Sequence, residues 1–381
     1  MKKREEKSRL SPWPYIRNNR VRSTVLVISL AVFVVLIYMM NYIIGGVEEP
    51  YWLANVEPYD RIQYAAAAID ITPEDYATVE EYRLGAWQAV SEQCDAIRGE
   101  AGIIDAKVCS MQRVVFQATV GTNYQECLLF EGKSDCEEYL QHMDGRLSSG
   151  RMPEAAGEIL VDQRLVDNNK HSGLLLSLIG TRYHVVGVVD SPYYLACGIA
   201  HPGENNIWIL LLTESAQVDA RPIFEKHGFR LKLYSDRASA EVNHRASIGD
   251  LDTVQTLFTV VSAALLMICV VVVLALHIMD RHNEWCLLNS IGFTSGEIYL
   301  MALKEMLICM GIALAVGAVL CFGVSMLIKF LLFQPRGLYV KIWRPQVIPR
   351  ILAVFVALLG IIQIPLFSGM RKIQTIDEIE N

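Results

Sequence analysis

Residues 253–279, TVQTLFTVVSAALLMICVVVVLALHIM, contain no Asp, Glu, Lys or Arg. That run is long enough to cross a bilayer as one helix, which takes ~20 apolar residues. Three further runs share this character: residues 23–46 (STVLVISLAVFVVLIYMMNYIIGG), 306–328 and 351–370. One run near the start, a polar stretch over 47–252 and three runs close together describe a multi-pass membrane chain. The polar stretch is then a folded domain held between the first and second spans. Four such runs in one chain weigh against the buried helices of a large soluble protein.

Lys2, Lys3, Arg4, Lys7, Arg9, Arg17, Arg20 and Arg22 precede the first run, and cations beside a first span are retained in the cytoplasm. The run exceeds the ~7–15 residues of a cleavable signal and passes into Gly45 and Gly46 without a small-residue cleavage site, so it reads as an uncleaved anchor. Alternate threading then places residues 1–22, 280–303 and 371–381 inside and 47–252 outside, with the last two spans within 304–370. Arg336, Lys341, Arg344 and Arg350 fall in the short second outer loop and run against the charge rule.

The net charge of -7 comes with acidic residues concentrated in the outer segment, and no basic stripe suits nucleic acid. The N-terminal cations fit anionic lipid headgroups instead. Five cysteines, Cys94, Cys109, Cys127, Cys136 and Cys197, lie in the outer segment, where oxidising conditions permit disulfides. Sequence proximity pairs Cys94 with Cys109 and Cys127 with Cys136; buried thiols without bridges account for them equally well.

The outer segment reads as α+β and is large enough for a core of its own. Thr72 can cap a helix with Pro73 at its first position and Glu74 and Asp75 at the positive dipole end, so a helix is predicted from there to about Ile97. Strands are predicted over residues 113–120, 158–161, 174–179, 183–189, 207–212 and 229–234, with a hairpin at 180–182. Residues 215–227 have helical character interrupted at Pro222.

Catalytic patterns are missing from the sequence. There is no phosphate loop, no nucleophile elbow and no close histidine spacing for a metal, so neither a catalytic nor a metal-ligating set is assigned. The spans hold almost no ionisable residues, which disfavours an ion-coupled transporter; Lys304 and Glu305 stand just before the third run. Gly311, Gly317 and Gly323 fit either close helix packing or the general abundance of glycine in membrane helices.

The inner loop is more specific. Arg281 and Glu284 are one helical turn apart, and Trp285, Leu288 and Ile291 recur at helical spacing, which predicts a short amphipathic helix ended by Gly292. An ordinary interfacial connector would read the same way.

This loop resembles that of the FtsX/MacB-like permeases of ABC transporters, through Arg281, Glu284, Leu287, Leu288, Ile291, Gly292, Phe293 and Thr294. Residues 16–23, IRNNRVRS, are similar to the basic helix before the family's first span. Gly150, Arg151 and Pro153, leading to Gly157, Glu158 and a strand, resemble the turn of its outer domain, as Val185 to Val188 resemble a later strand. Pro12, Trp13, Pro14 and the outer cysteines belong to no family pattern.

The resemblance implies a permease subunit without enzymatic activity or cofactor of its own. ATP and Mg would sit on a separate cytoplasmic ABC ATPase, with a second permease copy, identical or not, completing the complex. It implies four transmembrane helices and a MacB-like α+β domain between the first and second, in a bacterial plasma membrane with both termini cytoplasmic. Residues 281–294 would couple the ATPase to the spans. The chain would then export a peptide or lipid-linked substrate, or transmit motion to an extracytoplasmic partner. An ATP-independent sensor with a ligand-binding outer domain is the alternative.

Overall fold

The computed structural model describes residues 12–18, 20–172, 182–204 and 206–379. The helices in chain order are α1 (Trp13–Asn18), α2 (Arg20–Asn55), α3 (Val79–Ile97), α4 (Lys133–His142), α5 (Gln163–Ser172), α6 (Arg221–Lys226), α7 (Arg237–Ser290), α8 (Ser295–Ile328) and α9 (Val347–Ile379). The strands are β1 (Ile62–Ala67), β2 (Ile103–Gln117), β3 (Thr122–Phe130), β4 (Arg146–Gly150), β5 (Glu158–Asp162), β6 (His184–Asp190), β7 (Ala196–Ile199), β8 (Ile207–Thr213) and β9 (Leu231–Ser235). The chain divides into a membrane unit, Met1–Tyr42 with Asp252–Leu327 and Ile342–Asn381, and an outer unit, Ile43–Leu251 with Ile328–Lys341.

Among the described residues, four helices are long and apolar enough to cross a membrane: Ser23–Asp60, Arg237–Val273, Ser295–Arg336 and Val347–Ser368. They share one apolar core in the membrane unit. Leu30, Val34 and Ile37 of α2 meet Leu266 and Val270 of α7, Ala302, Met306, Met310 and Ala313 of α8, and Ile351, Phe355, Leu358 and Ile362 of α9. The spacings of three and four bring these residues to one side of each helix. Val261, Leu265 and Ile268 of α7 and Val319 and Phe322 of α8 are exposed, so these helices are apolar on both sides, as lipid contact requires. Of the three glycines singled out in α8, only Gly317 meets another helix, where a Cβ would stand 2.9 Å from Val34; Gly311 and Gly323 face open space.

The cations of the second outer loop have structural duties. Arg344 is buried and donates to the Asn41 carbonyl, and Arg350 donates to Asn41 Oδ1 at 3.2 Å. Gln255 also donates to Asn41 Oδ1, while Asn41 Nδ2 donates to the Ile37 carbonyl at 2.7 Å. Buried polar groups in an apolar surrounding are satisfied here by one another. Charges locked onto α2 in this way are poor indicators of topology.

The outer unit is built on one nine-stranded sheet of order β4-β6-β5-β7-β3-β2-β8-β1-β9. Most neighbours are antiparallel, but β3 pairs with β7 and β5 with β6 in parallel. Successive residues of a strand point to opposite faces. Ile62, Tyr64, Cys109, Met111, Leu128, Phe130, Leu210 and Leu212 therefore line one face, covered by Tyr139 and Leu140 of α4 and by Met143 just after it. Ala65, Ala67, Ala106, Val108, Ile209 and Leu211 line the other, covered by Val90, Cys94 and Ile97 of α3 and Phe224 of α6.

Several sequence expectations are corrected. Thr72 and Pro73 open only a 3-10 turn, Pro73–Asp75, in which the Thr72 hydroxyl bonds Asp75 at 2.7 Å. The helix itself starts at Val79, because Thr78 Oγ1 accepts the Glu81 amide at 3.1 Å while Glu81 Oε2 accepts the Ala77 amide at 3.1 Å. Pro222 stands in the first turn of α6 and begins that helix rather than interrupting it, since its missing N–H falls where none is needed. The strand expected over 113–120 is the end of the longer β2, and β1, β3, β4 and β7 were not anticipated. The strand expected over 174–179 and the start of the 180–182 hairpin lie outside the described residues.

Candidate functional site

No break separates the second span from the inner loop: α7 continues as helix to Ser290. It ends in a left-handed turn. Gly292 has φ +96, its N–H donates to the Asn289 carbonyl at 2.8 Å, and the Phe293 N–H reaches back to Leu288 at 3.1 Å. That conformation suits a residue without Cβ. Thr294 then caps α8, exchanging hydrogen bonds with Glu297: Thr294 N–H to Oε2 at 2.9 Å and Glu297 N–H to Thr294 Oγ1 at 3.3 Å.

The side chains of the segment divide sharply. Trp285 is fully buried and Leu288 packs against the membrane core, whereas Glu284, Leu287 and Ile291 are exposed. The apolar edge expected from Trp285, Leu288 and Ile291 is thus two edges, one inward and one outward. Arg281 is only 2% exposed and bonds Glu305 of α8 at 2.5 Å, with its guanidinium 5.7 Å from the Trp285 ring. Glu284 lies 3.7 Å from the same guanidinium but stays at the surface. Of the residues grouped as ATPase-coupling, Glu284, Leu287, Ile291, Gly292 and Thr294 form an exposed ridge, Leu288 and Phe293 are half-buried, and Arg281 is interior.

The outer turn is organised by one carboxylate. Arg151 grips Glu158 through both terminal nitrogens, one at 2.7 Å, while the amides of Glu154 and Ala155 donate to Glu158 Oε2 at 2.9 and 3.2 Å. First the guanidinium and then the amides favour the ionised form and hold the Glu158 carboxyl down to about 2. Pro153 is buried within the turn. Gly150 and Gly157 have φ +80 and +83, and a Cβ on Gly150 would stand 2.3 Å from the Val186 carbonyl. These five residues form a rigid corner holding β4, β5 and β6 together.

Neither cysteine pair expected from sequence proximity is brought together. Cys94 faces one side of the sheet with α3 and Cys109 the other with β2. Cys127 likewise points away from Leu128, Phe130 and Cys136. The five outer cysteines are free thiols in this structure.

A helix turning back on itself through an exposed ridge, anchored beneath by a buried ion pair, is a place where an outside load can be applied to two spans at once. Residues 256–376, which contain this segment, match the family model FtsX-like permease C-terminal. The chain carries an FtsX-like permease C-terminal domain.

Solved structures resembling the chain include the periplasmic region of MacB from Actinobacillus actinomycetemcomitans, at 9% identity and TM-score 0.26, covering 48% of this chain and 92% of that one. Another is the extracellular domain of the ABC-type transporter YknZ from Gram-positive bacteria, at 11% identity and TM-score 0.24, covering 46% and 100%. A domain of a permease protein from Porphyromonas gingivalis is similar at 14% identity and TM-score 0.22, covering 47% and 90%. No curated protein matches the chain.

One residue that matters to the FtsX-like domain, Glu305, was not assigned from sequence. Glu305 read as a charge beside a span, and its partner Arg281 lies 24 positions away, beyond any helical spacing rule. Only a rule that an intramembrane charge demands a partner could have linked them.

Proposed function

We propose that the chain is the permease subunit of an ABC transporter complex in a bacterial plasma membrane. A separate cytoplasmic ATPase, holding ATP and Mg, would seat residues 281–294 in a surface groove, and a second permease copy would complete the assembly. Both termini and this segment then lie in the cytoplasm, and the outer unit lies beyond the membrane. The observation carrying the reading is the ridge of Glu284, Leu287 and Ile291 on a rigid turn inside the FtsX-like region.

Mechanically, the segment joins two spans without flexible linkers, because α7 ends only four residues before α8 begins. A push on the ridge is borne by α7 and α8 together through Arg281 and Glu305. The N-terminal part of α7 and residues Ile328–Lys341, which follow α8, belong to the outer unit, so the same two elements lead outward. Nucleotide-driven closure would export motion, used to expel a peptide or lipid-linked substrate or to move an extracytoplasmic partner.

Copurification and coupled hydrolysis test this. Glu284→Lys combined with Ile291→Asp leaves the interior untouched and should lower ATPase stimulation in the reconstituted complex by roughly tenfold or more, equivalent to about 1.4 kcal/mol of docking energy. A chain that copurifies with no ATPase, or a variant with unchanged coupled hydrolysis, would leave the sensor reading in its place.

A further inference from the structure

We propose that Cys136 and Cys197 form a disulfide that ties α4 to β7, an inference resting on the outer unit lying in an oxidising compartment. Both residues are fully buried in the same apolar cluster on one face of the sheet. Cys136 Sγ lies 3.1 Å from the carbonyl of Gly198, the neighbour of Cys197. Cys197 stands opposite Leu128 in the parallel pairing of β7 with β3, on the face that α4 covers.

The sheet excludes the other three outer cysteines as partners of Cys197. Cys94 and Cys127 point to the opposite face. Cys109 shares the face of Cys197 but stands on β2, separated from β7 by β3. Two strand spacings, about 9.6 Å, exceed what a disulfide spans. Of the outer cysteines, Cys136 and Cys197 are thus the pair that α4 and β7 bring side by side, and they are not close in sequence.

The oxidant belongs to the dithiol/disulfide class. One cysteine thiolate attacks a sulfur of the oxidant's disulfide and releases the first oxidant thiol. The second cysteine thiolate attacks the resulting mixed disulfide, forming the Cys136–Cys197 bond and releasing the second thiol. The pair loses two protons and two electrons, and one oxidant disulfide becomes two thiols. Because neither sulfur is accessible in the folded unit, the exchange occurs while α4 is still closing onto the sheet; once buried, the bond is shielded from reductant. It closes a loop of about 60 residues, within which lie β4, β5, β6 and the Arg151–Glu158 corner.

Membranes from cells expressing the full chain are quenched in acid, alkylated with a maleimide under denaturing conditions without reductant, and digested with trypsin. Residues 134–146 and 183–226 are limit peptides, and Cys136 and Cys197 are their only cysteines. The expected product is these two peptides linked, separating on reduction. Recovery of both carrying maleimide, or Cys136 linked elsewhere, overturns the proposal.

A parallel Ser149→Cys variant, at an exposed position of β4, reports the side of the membrane through a membrane-impermeant maleimide on osmotically stable protoplasts. Ser149→Cys labelled from outside with Cys136 and Cys197 both reduced removes the disulfide and leaves the topology standing. Labelling only after lysis removes the topology itself, and the bond with it.

Discussion

Glu158 shows what one side chain does in the outer corner. Its folded carboxyl is held at about 2 by Arg151 and by the amides of Glu154 and Ala155, below the ~4.3 of an unfolded chain. Because the folded value is the lower one, the stabilisation is complete above about 4.3 and is lost as pH falls through about 2. The melting-temperature gap between the wild type and Glu158→Gln should therefore be constant from pH 8 to 6 and close progressively below ~4.3. A gap as wide at pH 3 as at pH 7 would rule out the carboxylate as the source. Gly150, Arg151, Pro153, Gly157 and Glu158 were all recognisable as a turn in the sequence, since Gly and Pro there have conformational meaning by themselves. The bidentate grip was not, because Arg151 and Glu158 are seven residues apart and only the folded corner brings them together.

At the scale of elements, the buried ion pair of Arg281 and Glu305 ties α7 to α8. Removing one partner strands a buried charge, so Glu305→Ala should destabilise the detergent-solubilised protein by about 3–5 kcal/mol. The double variant Arg281→Met with Glu305→Leu should recover most of that loss, since a well-packed apolar pair replaces the charges without their desolvation cost. Thermal unfolding of the three proteins decides it; a double variant no better than the single one would mean that the pair is not the source. The helical periodicity of residues 281–291 was legible in the sequence, and so was the stop at Gly292. Which residues of the period face inward was not, because Trp285, Leu288 and Ile291 are all apolar and the choice depends on where α8 and α9 lie.

For the whole molecule, residues Ile328–Lys341, which include the start of the second outer loop, belong to the outer unit. Asn168 Nδ2 donates to the Arg336 carbonyl at 2.9 Å, Tyr194 Oη donates to the Gly337 carbonyl at 2.8 Å and accepts the Tyr339 N–H at 3.1 Å. Gly337, at φ +64, approaches so closely that a Cβ would fall 2.0 Å from the Arg164 carbonyl. Asn168→Ala, which also loses its two bonds to Gln117, should speed amide exchange over residues 337–341 by roughly tenfold, a loss of about 1.4 kcal/mol. Protection left unchanged there would show that the loop is held by other contacts.

The number of spans and the insertion of a separate domain were determined by the sequence alone, because uncharged runs of this length have no stable place in water and the bilayer thickness sets their extent. Local backbone signals did almost as well wherever a residue acts through its own conformation, as at Gly292 or Pro153. Tertiary structure alone decided the sheet order, the faces on which the cysteines lie, the locking of Arg344 and Arg350 onto Asn41, and the burial of Arg281. Each of these depends on partners far apart in the chain, and a strand or helix declares its apolar face without declaring what will cover it.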